Sequence, residues 1–171
     1  MGTRNPDPMS DRGHVYADYI AGELRAEQAR RLKVEDDGKA IITQTLSLLT
    51  AVLAVAGLVG AWGVDFSPTA RNLIIATIVV LVLALIAGVL VGWKAKYEAT
   101  ECKVYDDMLE PSRWREEEAD ARHDVSVLNV KAIGPLRDLN TKKAWVVIGG
   151  HVLQVLGIVA AAATVVHLAL Y

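Results

Sequence analysis

Three stretches of the chain carry no Asp, Glu, Lys or Arg: Ala40 to Val64, Asn72 to Trp93 and Ala144 to Tyr171. A helix rising about 1.5 Å per residue needs about 20 apolar residues to cross the hydrocarbon core of a bilayer, so each stretch is long enough. Core helices of soluble proteins are seldom so long and so free of charge. The pattern predicts an all-α integral membrane protein with transmembrane helices at 40–64, 72–93 and 144–171.

The polar segments supply the connections. Residues 65–71, Asp-Phe-Ser-Pro-Thr-Ala-Arg, are too few for anything but an antiparallel hairpin between the first two spans, with Ser67 placed to cap a helix starting at Pro68. Residues 15–39 read as an amphipathic helix, with Tyr16, Tyr19, Ile20, Leu24 and Leu32 at roughly helical spacing. Only Gly38 stands before the first span, so the two can form one long, slightly kinked helix. Residues 94–143 form the main polar region: a continuation of the second span up to Pro111, then a helix from Glu116 to Ile133. Gly134-Pro135 is expected to break that helix before Asn140 or Thr141 opens the third span. The Gly-, Asn- and Pro-containing residues 1–14 read as a disordered tail.

Charge sets the expected orientation. Of 18 Lys and Arg residues, seven precede the first span, ten lie between the second and third, and Arg71 alone lies in the short loop. Basic flanks stay in the cytoplasm, so the N-terminus and residues 94–143 are expected inside the inner membrane, with 65–71 and the C-terminus outside. Trp62, Trp93, Trp145 and Tyr171 fall at window ends, where amphipathic rings favour the headgroup layer. A first apolar window that begins only near residue 40 fits a retained anchor better than a cleaved signal peptide.

Composition narrows the chemistry. A net charge of −2 offers no basic surface for nucleic acid. Cys102 is the only cysteine, which excludes an intrachain disulfide and a C-x-x-C site. His14, His123, His151 and His167 are scattered along the chain, a poor set of metal ligands. Hydrolase, Walker and Rossmann signatures are missing, so neither an enzyme nor a cofactor is expected.

Within the spans, polar and small residues are the candidates for function. Thr43, Ser47, Thr50 and Ala54 recur on one face of the first span: a packing seam within one subunit, or else a subunit interface or wet path. His151 and Gln154 share a face of the third span, about 12 and 16 Å beyond Lys143 at the helical rise, the depths that Ser47 and Thr50 reach from Lys39. Polar groups so deep need partners, so the first and third spans are expected to pack with these four residues facing one another, as a satisfied hydrogen-bonded pair or a gate. Ala84, Gly88 and Gly92 in the second span, and Gly157 and Ala161 in the third, follow the small-xxx-small spacing that lets helices approach closely, within one chain or between copies. Arg30, Arg31, Lys33 and Lys39 before the first span fit anionic lipid headgroups, or a nucleotide or phosphate signal.

Two segments carry a family resemblance. Tyr19-Ile20-Ala21 through Glu27, with Glu35-Asp36-Asp37-Gly38-Lys39-Ala40-Ile41-Ile42 running into the first span, and Leu139-Asn140-Thr141-Lys142-Lys143-Ala144 opening the last, resemble small bacterial membrane effectors of the Pycsar and SLATT type and related actinobacterial three-span proteins. The resemblance covers about residues 16 to 171. It implies a homo-oligomer that permeabilises the membrane in phage defence or superinfection exclusion, with cytoplasmic helices that hold it closed or receive a trigger, a nucleotide second messenger or a protein. Gly38 and the want of a recognisable nucleotide pocket depart from that pattern. The competing expectation is a non-conducting structural or accessory subunit of a larger membrane complex.

Overall fold

The computed structural model describes residues 8–63, 66–93 and 118–170. Three helices account for nearly all of them: α1 (Pro8–Ala61), α2 (Pro68–Gly92) and α3 (Glu118–Leu170). Each is long and apolar enough to cross a membrane, and no strand occurs among the described residues. The protein is an all-α, multi-pass membrane protein.

α1 is a single helix of 54 residues. Pro8 opens it, where a missing backbone N–H costs no helical hydrogen bond. Residues 8–14, expected in the disordered tail, are therefore helical, while residues 1–7 lie outside the described part. Gly38 does not interrupt the helix; its missing side chain serves packing instead. α1 stops at Ala61 rather than at Val64 because Gly63 takes a φ of +70°, the left-handed conformation that glycine adopts without strain, and Trp62 N–H closes the last turn onto Leu58 and Val59. α2 starts at Pro68 with Ser67 as its cap, the Ser67 hydroxyl accepting from Ala70 N–H at 3.2 Å.

α3 corrects the expected break. It runs unbroken for 53 residues through Pro135, so Asn140 and Thr141 lie inside the helix and not at its start. A proline in a helix interior removes one hydrogen bond and costs about 3 kcal/mol. The contacts of the next turn offset that cost: Leu136 and Asn140 are buried, and Arg137 pairs with two carboxylates of α1. The continuation of α2 beyond Trp93 and the predicted start of a helix at Glu116 lie outside the described residues.

The chain divides into two compact units, to both of which α1 and α3 contribute. The first comprises Met1–Arg31 and Ala95–Thr141, the second Leu32–Lys94 and Lys142–Tyr171. The polar first unit pairs α1 with α3. In the apolar second unit α1, α2 and α3 pack around Ile41, Leu81, Ala84 and Val91, each nearly or fully shielded. Its glycines mark the closest approaches. A Cβ on Gly38 would stand 2.7 Å from Val91 Cγ1, one on Gly88 3.1 Å from the Gly38 carbonyl, one on Gly150 2.9 Å from Ile41 Cδ1, and one on Gly157 2.6 Å from Leu81 Cδ2. Bare backbone at these positions is what allows the helices to touch, since in lipid association relies on contact packing rather than on expulsion of water.

Candidate functional site

Two polar clusters and one outward face are the candidate functional features of the described residues. The first cluster lies in the polar unit. The Arg137 guanidinium donates from Nε to Glu27 Oε1 and from Nη2 to Glu23 Oε2, both at 2.8 Å. Asn140, fully buried, donates its amide to the Glu27 carbonyl at 2.9 Å and to Glu27 Oε2 at 3.1 Å. The hydrogen bonds from Arg137, then Asn140, hold the Glu27 carboxyl below the ordinary glutamate range, against the opposing effect of burial. Asn140 Oδ1 has no hydrogen-bond partner among the described residues. Turning the amide over would set an oxygen against the Glu27 carboxylate and carbonyl, so the amide nitrogen is fixed toward α1.

The second cluster is in the apolar unit, between α1 and α3. Gln154 Nε2 donates to the Ile41 carbonyl at 3.1 Å and to Thr45 Oγ1 at 2.9 Å, and Gln154 Oε1 lies 3.1 Å from His151 Nδ1. Because the Gln154 nitrogen faces an oxygen on α1, its own oxygen is the acceptor toward His151, so Nδ1 carries the proton of that bond. In the same unit, buried Lys143 pairs with Glu35 at 3.4 Å. At the other end of α3, His167 Nε2 lies 3.0 Å from the Ser67 hydroxyl that caps α2.

The predicted facing of Ser47 and Thr50 with His151 and Gln154 is corrected on the α1 side. Ser47 and Thr50 are exposed, and their hydroxyls return to the carbonyls of Thr43 and Leu46 on their own helix. Thr45 and the Ile41 carbonyl take the place given to them, because α1 turns Ile41 and Thr45 toward α3 and its Thr43–Ser47–Thr50–Ala54 stripe away from it. That stripe is no seam within the chain. Among the small residues, Ala84 is buried, Gly88 is buried against Gly38, Ile41 and Ile42 of α1, Gly157 is packed on Leu81, and Ala161 is half-buried. Gly92 has nothing within 4 Å of a Cβ placed on it, so the third member of the α2 series takes no part in this packing.

The basic residues ahead of the span are divided. Lys39 pairs with Asp36 at 2.7 Å, and Arg30 reaches Glu27 at 3.8 Å. Arg31 is half-buried with an interaction of its own, and Lys33 is exposed. No cluster of three His, Cys, Asp or Glu able to hold a metal ion occurs among the described residues.

Sequence reading missed Thr45, Glu23, Glu27 and Arg137 as contact residues, and took Asn140 for a helix cap. The only available signal was that Asn140 and Lys143, three apart, belong with the buried positions at 136, 140, 143, 147, 150 and 154, a helical stripe continuing through the supposed break.

The outward faces of the apolar unit differ. α2 exposes Ile75, Val79, Leu83, Ile86 and Leu90, and α3 exposes Ile148, Val152, Val155 and Val159, all large aliphatic groups suited to lipid. α1 also exposes large aliphatic groups, Leu46, Leu53, Val55 and Leu58, but on the side turned away from both partners it carries in addition an exposed patch of Thr43, Gln44, Ser47, Thr50, Ala51 and Ala54. No family model, curated protein or solved structure matches the chain.

Proposed function

We propose that the chain is an oligomeric inner-membrane protein that permeabilises the membrane, with its N-terminus and residues 94–143 in the cytoplasm and its C-terminus outside. The observation that supports this reading is the outward face of α1. Lipid tails solvate the aliphatic coats of α2 and α3 well, but they offer no hydrogen bond to Gln44 and little dispersion contact to a row of Thr, Ser and Ala. Copies arranged with these faces toward a common centre give the hydroxyls and amide a wet, shared path, and three helices of one chain cannot enclose such a path. The asymmetric distribution of Lys and Arg supports the orientation. The resemblance to Pycsar- and SLATT-type effectors supports phage defence or superinfection exclusion as the setting, with a nucleotide second messenger or a protein as the trigger received by the polar unit.

Inducible expression in bacteria loaded with a membrane-potential dye tests the reading. Depolarisation that follows induction, and that Ser47→Leu with Thr50→Leu abolishes at equal membrane abundance, is the expected result. Unchanged potential at high abundance, with or without infection by phage, would leave the chain as a non-conducting accessory subunit.

A further inference from the structure

We infer that two copies of this chain pair about a two-fold axis along the membrane normal, with Gln44 of each copy donating a hydrogen bond to His151 of the other. The inference builds on the proposed association of copies and names its contact; it does not require the assembly to conduct.

Both residues are exposed, and both lie within the apolar unit, where hydrocarbon leaves a polar group unsatisfied. Their levels match. Ile41 lies against Gly150 and Thr45 bonds to Gln154, so position 41 of α1 is level with 150 of α3, and 45 with 154. Gln44 therefore stands about two residues, ~3 Å along the axis, from the level of His151.

Their edges match as well. At about 100° per residue, Gln44 lies about 60° round α1 from Ile41, on the side opposite Ile42, which packs against Gly88 of α2. By the same count His151 lies about 60° round α3 from Gln154, on the side opposite Gly157, which packs against Leu81 of α2. Gln44 and His151 thus flank one seam, that between α1 and α3, on its face remote from α2.

Hydrogen-bond chemistry selects the partner. His151 Nδ1 donates to Gln154 Oε1, so a neutral ring presents Nε2 outward as an acceptor. Gln44, with no partner for its amide among the described residues, supplies the matching donor. A two-fold axis parallel to the membrane normal keeps every residue at its own depth and exchanges the two edges, so the same bond forms twice. Ala51 beside Gln44 on α1 is small enough for α1 to approach α3 of the other copy closely. Lipid offers neither half of this match.

The test uses full-length chains with Cys102→Ser, carrying two different tags and co-expressed. One bears Gln44→Cys and the other His151→Cys. Mild oxidation of native membranes is expected to give a mixed-tag disulfide dimer, whereas Gln44→Cys paired with Val82→Cys, on the lipid-clad face of α2, gives none. No mixed dimer despite maleimide labelling of both cysteines, or equal yield with Val82→Cys, overturns the pairing. Because His151→Cys removes one half of the bond, a second measurement keeps both halves in the wild type. Energy transfer between labelled copies diluted into lipid vesicles is expected to show association weakened about tenfold to two-hundredfold by Gln44→Leu in every copy, a change at an exposed position that removes both bonds. Unchanged association also overturns the pairing. Mixed dimers with an intact membrane potential would sink permeabilisation and leave the pairing standing; depolarisation without mixed dimers would do the reverse.

Discussion

Gly88 and Gly92 stand one helical turn apart in α2, in the same small-xxx-small series, and the structure assigns them opposite responses to alanine. At Gly88 a Cβ would lie 2.8 Å from Ile42 Cγ1, 3.1 Å from the Gly38 carbonyl oxygen and 3.3 Å from Ile41 Cγ2. The Ile42 tip can rotate away, but the carbonyl belongs to a helix and can move only with it. Overpacking of this kind costs about 1–3 kcal/mol. Alanine also gains about 0.8–1 kcal/mol over glycine in a helix interior. Gly88→Ala is therefore expected to destabilise the α1–α2 contact by about 0–2 kcal/mol net. At Gly92 nothing lies within 4 Å, so Gly92→Ala, at the last residue of α2, keeps part of the propensity gain and loses nothing. Propensity favours alanine at both positions, less so at the helix end, so Gly88→Ala is expected to be the less stable of the two by up to about 3 kcal/mol, most of it from the contact. The assay is energy transfer between dyes at Lys33→Cys and Trp93→Cys in a Cys102→Ser chain, both sites exposed, as the SDS fraction of mixed micelles rises. If Gly88→Ala withstands as much SDS as Gly92→Ala, the α1–α2 crossing through Gly38 and Gly88 is wrong.

Other contacts give further outcomes. Gln154→Leu removes two bonds to α1 and is expected to cost about 1–2 kcal/mol in the same SDS titration, with Thr45→Val costing less and adding little on top of it, because one bond is shared. Independent, additive losses would contradict that sharing. Asn140→Asp sets a carboxylate against the Glu27 carboxylate and carbonyl, and hydrogen exchange should show residues 20–31 and 132–141 opening far more readily than in wild type, whereas a wild-type pattern would place Asn140 elsewhere. Glu27 titrates below the ordinary glutamate range when folded, so it binds fewer protons than in the unfolded chain and stabilises the polar unit above that range. Protection of the same segments should be flat at neutral pH and begin to fall as pH enters the ordinary glutamate range, with the Glu27 contribution fully lost below the lowered value; Glu27→Gln should remove this acid step, and an acid step that survives it belongs to another group. Ser67→Ala deletes both the α2 cap and the contact to His167 and should cost about 0.5–2 kcal/mol in SDS resistance; no change would mean that neither contact holds α2.

What could be read from the chain without coordinates, and what could not, divides along one physical line. Three uncharged stretches longer than the bilayer core, the Ser67-Pro68 helix start and the one-sided placement of Lys and Arg are properties of consecutive residues, and local composition is enough to state them. The all-α class and the number of candidate spans follow from that alone. Azimuth does not. Thr43, Thr45, Ser47 and Thr50 are equally polar and lie within two turns of one another, yet only Thr45 faces α3, and that choice is made by where Gly150 allows Ile41 to approach. Pro135 reads as a stop by local rules, and it is overruled because Leu136 is buried and Arg137 and Asn140 make contacts with another helix more than a hundred residues earlier in the chain. Rotation of each helix about its axis is fixed by close packing and by hydrogen bonds between distant residues, so it was decided only by the tertiary structure, and with it the identity of the polar residues left facing outward.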